Sequence, residues 1–438
     1  MSQQTDNTDD FRQTMSANFA LMARIRGDFS VEQLNGALER IRGRHPVLFQ
    51  KMPKDGSSPV ELNLDATPIF PLEVLKDCGE TDWIEIASAE LQRPFPPDGP
   101  FARFTLLRLD GCSDLVASFH HWGCDGMSGV YVIRDILRLL GEPAAELPPA
   151  PFPVDISTLI PKAVTQKLQT RLRVWAAVAK LRMFLFLKHL RKPGQPEKAV
   201  TPRELSQEEL ALRMQVCILP HSLSAAQTAA LVARCRAERT SVHAAICVAW
   251  LTAFAQMLEG RQSWTRTASS PVNIRQRLTP PIGDTSGPYL AIVETEVNCA
   301  PGRDFWQVSR EFKNRLNRDS DDARIFLKQL KISSIIAQFP RPESYEAIGR
   351  LFRGRMKYDF SITNLGQLDF PAQFGPLHID AFYGPLVNSG ERERTVGVST
   401  LAGKMTLTLL FRRSRMDPAR AEQLMERAIG LLVRAAGW

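Results

Sequence analysis

The sequence predicts an α/β protein of two lobes, each a strand layer covered by helices. Three observations carry this. A length of 438 residues suffices for one large or two medium cores. Strand-like and helix-like segments alternate in two successive blocks, the pattern of two-layer α/β architecture. Five prolines between Gly141 and Pro153 stop the first block. The division that follows is 1–150, a connecting segment 151–205, and 206–438.

In the first block, apolar runs near Leu21–Ile25, Phe101–Leu109 and Leu115–His121 read as strands, and Val31–Arg42, Asp82–Gln92 and Val130–Leu140 as helices. The connecting segment reads as a helix over 160–192, broken by Pro193-Gly194 and Pro196. In the second block a strand is expected at Met214–Leu219. The string Ser224-Ala-Ala-Gln227 is a capping box that opens a helix to about Arg236. Another helix spans about Val242–Leu258, and strands lie near Thr265–Val272, Leu290–Val297 and Asp359–Thr363. Val396–Leu401 and Met405–Phe411 flank Ala402-Gly403-Lys404 as a hairpin. Asp417-Pro418 is an N-cap followed by proline at the first helical position, and the last helix runs to about Arg434.

Composition narrows the class. A hydrophobic share of 44% with 23% charged residues is ordinary for a globular protein. The polar, acidic first ten residues carry no secretion signal, and no run of about 18 apolar residues reads as a membrane span. The seven cysteines are scattered, with no CxxC pair, which fits reduced thiols in a cytoplasmic setting. The net charge is +8, yet residues 156–196 hold nine Lys or Arg and no Asp or Glu, which leaves −1 for the remainder. A chain without basic character elsewhere is a poor nucleic-acid binder. The basic segment has three readings: a solvated helix face, a dock for a phosphorylated donor or acidic carrier protein, or a peripheral membrane contact.

The most informative stretch is His120-His121-Trp122-Gly123-Cys124-Asp125-Gly126, at the end of the apolar run 114–119. Successive strand side chains point to opposite faces, so one histidine can face a cleft while the other packs behind it. The same alternation argues against a metal site here, since adjacent strand residues rarely converge on one ion. Asp125-Gly126 makes the turn. Cys124 has no surrounding nucleophile motif and reads as a small packing residue.

The string HHxxxDG resembles the signature of the chloramphenicol acetyltransferase-like superfamily, which includes condensation domains, alcohol acetyltransferases, wax-ester synthases and polyketide-associated acyltransferases. Further elements in family order extend the resemblance: Arg44-His45-Pro46-Val47-Leu48, Thr240–Ala245, Pro271-Val-Asn-Ile-Arg275, and Thr363-Asn364-Leu365-Gly366. The resemblance implies two similar lobes forming a V, with the active site in a channel at their interface. It implies that His121 is the general base of a direct acyl transfer from a thioester, without an acyl-enzyme. It implies that Asp125 turns away from the histidine and pairs with Arg275. His120 and Gly126 would support the site, while Asn364 and Trp122 would line the channel.

No permanently bound cofactor or metal is expected; coenzyme A or a phosphopantetheine thioester would be the donor substrate. The acceptor would be an alcohol or an amine, and the expected product an ester in lipid or natural-product biosynthesis. Two alternatives stay open: an amide-forming condensation enzyme using carrier-bound substrates, and an inactive module that only binds a carrier protein. No adenylation or carrier signature accompanies the motifs, and Ser320 in Arg318-Asp-Ser-Asp321 does not fit the pantetheine-bearing context. A free-standing enzyme is therefore expected.

Overall fold

The computed structural model describes residues 18–51, 60–61, 70–96, 99–121, 123–150, 156–190, 215–258, 263–338, 358–388 and 394–438. Trp122, the break at Pro193–Pro196 and the strand start at Met214 lie outside the described residues.

In chain order the strands are β1 (Asn18–Arg26), β2 (Gln50–Lys51), β3 (Val60–Glu61), β4 (Leu72–Leu75), β5 (Ala102–Arg108), β6 (Cys112–His120), β7 (Val216–Leu223), β8 (Thr265–Asn273), β9 (Leu290–Asn298), β10 (Phe360–Gln367), β11 (Gln373–Phe374), β12 (Leu377–Asn388), β13 (Thr395–Leu401) and β14 (Lys404–Arg412). The helices are α1 (Val31–Arg40), α2 (Asp82–Gln92), α3 (Gly126–Gly141), α4 (Lys162–Thr165), α5 (Leu168–Leu190), α6 (Ala225–Ala237), α7 (Val242–Met257), α8 (Phe305–Asp319), α9 (Asp322–Gln338) and α10 (Pro418–Ala436).

Two six-stranded sheets organise the lobes, in the orders β11-β12-β1-β6-β5-β4 and β7-β14-β13-β10-β8-β9. Helices α1 and α3 cover one face of the first sheet around a core that includes Phe19, Leu34, Phe104, Phe119 and Ile133. Helices α7 and α10 cover the second sheet around Trp250, Phe360, Leu407 and Leu424. The expected caps form. Ser224 makes a reciprocal capping box and Asp417 accepts from Ala419 N–H at the start of α10; Ser30, not foreseen, makes a second capping box at α1.

The clean division at residue 206 does not hold. Strand β12, from the second half of the sequence, pairs antiparallel with β1 and completes the first sheet. The reason it escapes pattern reading is Gly384-Pro385 near its middle, which reads as a breaker. In the fold, the β1–β12 register shifts between Ala20/Leu386 and Met22/Tyr383, so the proline sits at a bulge and owes no ladder bond. Gly384 has φ +120°, and a Cβ there would lie 2.9 Å from Leu21 and 3.0 Å from the Ala20 carbonyl, so glycine is required. The crossover straps the lobes together. Ser399 and Thr406, in the second sheet, both donate to the Phe382 carbonyl.

Candidate active site between the lobes

Strand β6 ends at His120, and the chain turns at once. Gly123 N–H donates to the His120 carbonyl at 3.2 Å. A Cβ on Gly123 would lie 2.6 Å from Cδ2 of buried Phe101, so only glycine fits this turn. The Phe101 ring in turn stacks on His120 at 5.1 Å, and Phe95 meets His120 edge-on at 5.6 Å. Burial, with smaller contributions from His121 and Arg103, pushes the His120 imidazole down to about 4. His120 is therefore a neutral packing residue behind the turn.

His121 is half-buried on the other side, edge-on to Phe19 at 5.1 Å. Its Nδ1 lies 2.9 Å from the Cys124 carbonyl oxygen. A carbonyl only accepts, so Nδ1 carries the hydrogen, and in the neutral imidazole the lone pair then lies on Nε2. A backbone carbonyl, rather than a carboxylate, fixes the tautomer. Cys124 itself is fully buried, and burial, reinforced by Asp125, raises its thiol well above the ordinary range. It is a packing residue and no nucleophile.

Asp125 is the N-cap of α3. Its Oδ1 accepts from Ser128 N–H at 2.9 Å and lies 2.8 Å from Ser128 Oγ. Arg275 then grips both carboxylate oxygens, Nη1 to Oδ2 at 2.7 Å and Nη2 to Oδ1 at 2.9 Å. Both residues are buried. The guanidinium also donates to the Thr285 and Gly287 carbonyls, each at 3.3 Å, and lies over the faces of Tyr289 and Tyr131 at 5.2 and 5.6 Å. A bidentate, fully occupied pair is the one geometry in which a buried ion pair holds well. The pair joins the start of α3 in the first lobe to the turn after β8 in the second. Helix α3 begins at Gly126, earlier than the apolar pattern suggests, because the cap sits at Asp125.

Gly126 serves the same junction. A Cβ there would meet Leu365 at 3.2 Å and Pro385 at 3.5 Å. Leu365 belongs to the Asn-Leu-Gly element, so that element reaches the HHxxxDG turn through Leu365. Asn364, half-buried, closes its own turn: its Oδ1 accepts from Gly366 N–H at 2.8 Å, and Gly366 takes φ +73°.

A second buried network, which pattern reading did not find, lies beside the first. His45 is wholly buried, with Nε2 3.0 Å from Asp135 Oδ2 and Nδ1 2.8 Å from Ser286 Oγ. Nε2–H donates to the carboxylate and Nδ1 accepts from the hydroxyl, which is a neutral imidazole; burial lowers its proton affinity despite Asp135. Arg134 bridges Asp135 and Asp284, at 2.8 and 2.7 Å, and Arg44 reaches Asp284 at 2.6 Å. Burial pushes Asp284 up, but the two arginines outweigh it and hold the carboxyl at about 2. Arg44 and His45 come from the RHP string and Arg134 and Asp135 from α3, whereas Asp284 and Ser286 belong to the same second-lobe turn that Arg275 anchors. The spacing of Arg134-Asp135 from Arg44-His45 carries no motif, so only the fold reveals the pairing.

His243, in the Thr240–Ala245 string, is half-buried with Nε2 2.8 Å from Ser270 Oγ and 3.5 Å from Cys247 Sγ. Burial lowers His243 to about 4 and keeps the Cys247 thiol protonated. Both are neutral core groups. A cavity of about 320 Å³ lies elsewhere, lined by Phe254, Met257, Arg394, Arg413 and Arg415. It sits near the N-terminal end of β10, where Arg394 donates to the Asp359 carbonyl, and not at the Leu365 contact with the HHxxxDG turn.

The two-lobe fold is the one that condensation domains and chloramphenicol acetyltransferase-like enzymes share. Residues 213–410 match the family model described as the phthiocerol/phthiodiolone dimycocerosyl transferase C-terminus. No curated protein matches the chain in sequence. Among solved structures, polyketide synthase associated protein 5 from Mycobacterium tuberculosis is 16% identical with a TM-score of 0.67, covering 98% of this chain and 96% of its own. The first condensation domain of the CDA synthetase is 16% identical, TM-score 0.68, covering 98% and 93%. Trichothecene 15-O-acetyltransferase from Fusarium sporotrichioides is 12% identical, TM-score 0.65, covering 97% and 92%. At these identities the structures establish the fold alone.

Proposed function

We propose that the protein transfers an acyl group from a thioester to a hydroxyl acceptor, forming an ester in polyketide-related or lipid natural-product biosynthesis. The observation that carries the reading is the His121 hydrogen bond: with Nδ1–H committed to the Cys124 carbonyl, Nε2 is the nitrogen left to act as the base, on the half-buried side of the turn. In the proposed step Nε2 takes the proton from the acceptor hydroxyl as its oxygen attacks the thioester carbonyl. The C–S bond then breaks, and the imidazolium returns the proton to the leaving thiolate, so no covalent enzyme intermediate is needed. Asp125 and Arg275 act at a distance as positioning residues. They fix the start of α3 and thus the carbonyl of Cys124, one residue before the cap.

The donor is coenzyme A or a carrier-bound phosphopantetheine thioester. The similarity to an O-acetyltransferase supports an oxygen acceptor. The equal similarity to condensation domains supports the second reading, amide formation between carrier-bound substrates. Incubation with acyl-CoA and with acyl carrier protein, each against alcohol and amine acceptors, separates them by mass spectrometry. Ester product supports the proposal; amide product only, and only with carriers, replaces it with the second. No product with any pair leaves a carrier-binding module.

A further inference from the structure

Helix α5 carries two apolar stripes. Thr170, Val178 and Leu181 are buried on one side, and the helix packs there against α9. On the far side Leu168, Leu172, Trp175 and Met183 are 69%, 55%, 70% and 58% exposed. These are four of the six exposed large apolar residues among the described residues, gathered on one helix. At about 100° per residue they fall within an arc of roughly 80°. The cations flank that arc: Lys167, Arg171 and Arg182 on one side, Arg173 and Lys180 on the other, all exposed. No Asp or Glu occurs between 156 and 196.

We infer that this face of α5 docks on an anionic lipid surface. An indole and leucines on one stripe, rimmed by lysine and arginine, is the composition of a helix lying in the plane of a bilayer interface. The stems of the flanking cations lie along apolar surface while their heads reach acidic headgroups. A solvated face would not gather most of the exposed large apolar side chains among the described residues. An acidic carrier protein would answer the charge but would leave Trp175 and Leu172 without purpose. The other partner of α5, the helix α9, keeps the stripe turned outward. The inference stands apart from the transfer chemistry, because docking is read without turnover.

The test is flotation of the full-length protein with vesicles of equal parts phosphatidylglycerol and phosphatidylcholine, and with phosphatidylcholine alone. Binding is expected to the anionic vesicles, with a blue shift of Trp175 emission (followed by difference against Trp175→Phe) and severalfold weakening in high salt. Leu172→Gln with Trp175→Gln should abolish binding while leaving every charge in place. Arg171→Gln, Arg173→Gln, Lys180→Gln and Arg182→Gln should each lower partitioning roughly fivefold. All six positions are exposed, so thermal unfolding should match the parent. The inference is overturned if anionic vesicles do not bind, if binding survives the apolar double variant, or if Trp175 of the vesicle-free protein is shielded from acrylamide, which would show that the chain itself covers the stripe.

Discussion

Replacing Asp125 by alanine removes both the cap of α3 and the counter-charge of a buried guanidinium. Ser128 N–H loses its acceptor, and the Arg275 Nη1 and Nη2 bonds at 2.7 and 2.9 Å disappear. Leaving one member of a buried pair uncompensated costs about 3–5 kcal/mol. Loss of an N-cap adds about 1 kcal/mol. For a lobe of this size each kcal/mol lowers Tm by about 2–4 °C, so a drop of roughly 8–24 °C is expected. Arg275→Ala should cost a similar 3–5 kcal/mol, because Asp125 then stays buried beside α3. The double variant should be little worse than Asp125→Ala alone, since the second substitution removes the charge that the first left stranded. Differential scanning fluorimetry and denaturant titration of the four proteins measure the cycle. Additive losses, or a drop below about 2 °C for either single variant, would refute the reasoning that this pair fastens the lobes.

Gly123→Ala forces a methyl to within 2.6 Å of Phe101, which is buried and stacked on His120. A cost of about 1–3 kcal/mol is expected, together with loss of turnover because the turn carries His121; unchanged kcat would show that the turn tolerates the shift. Acid should destabilise the protein early. His120 and His243 are held down to about 4 when folded and titrate near 6.5 when unfolded, so stability is full above pH 6.5 and falls as pH drops toward 4. Each contributes up to about 3 kcal/mol of loss, with roughly two protons taken up on unfolding near pH 5. Calorimetry at several pH values reads both, and a flat profile between pH 6.5 and 4.5 would contradict it. Asp284, held at about 2, contributes above pH 3.8 and is lost only below that window.

Much of the fold is legible in the sequence where local signals agree. Ser224 and Asp417 mark helix starts by capping chemistry, and the structure places helices there. Strand β12 is illegible because Gly384-Pro385 contradicts its period, and only pairing with β1 through a bulge reconciles them. Helix α8 was missed although Asp304 caps it and Val308, Phe312 and Leu316 repeat at helical spacing. The apolar positions of helix α5 follow no single stripe in the sequence because one buried and one exposed apolar face overlie one another. At the site, Asp125, Gly126, Arg275 and Leu365 meet at one junction, whereas the Thr240–Ala245 string lies in the second-lobe core. The supporting carboxylates Asp135, buried, and Asp284, half-exposed, are not legible in the sequence, since His45, for Asp135, and Arg44 and Arg134, for Asp284, lie far away in the chain.

The account rests most directly on His121. Thiol release from an acyl thioester in the presence of an acceptor alcohol, followed for the parent and for His121→Ala, tests it in a single assay. The account predicts one thiol per ester formed, with the variant slower by roughly 10²–10⁴-fold while its Tm stays unchanged. A His121→Ala enzyme that releases thiol and forms ester at half the parental rate would remove His121 from the chemistry and contradict the account.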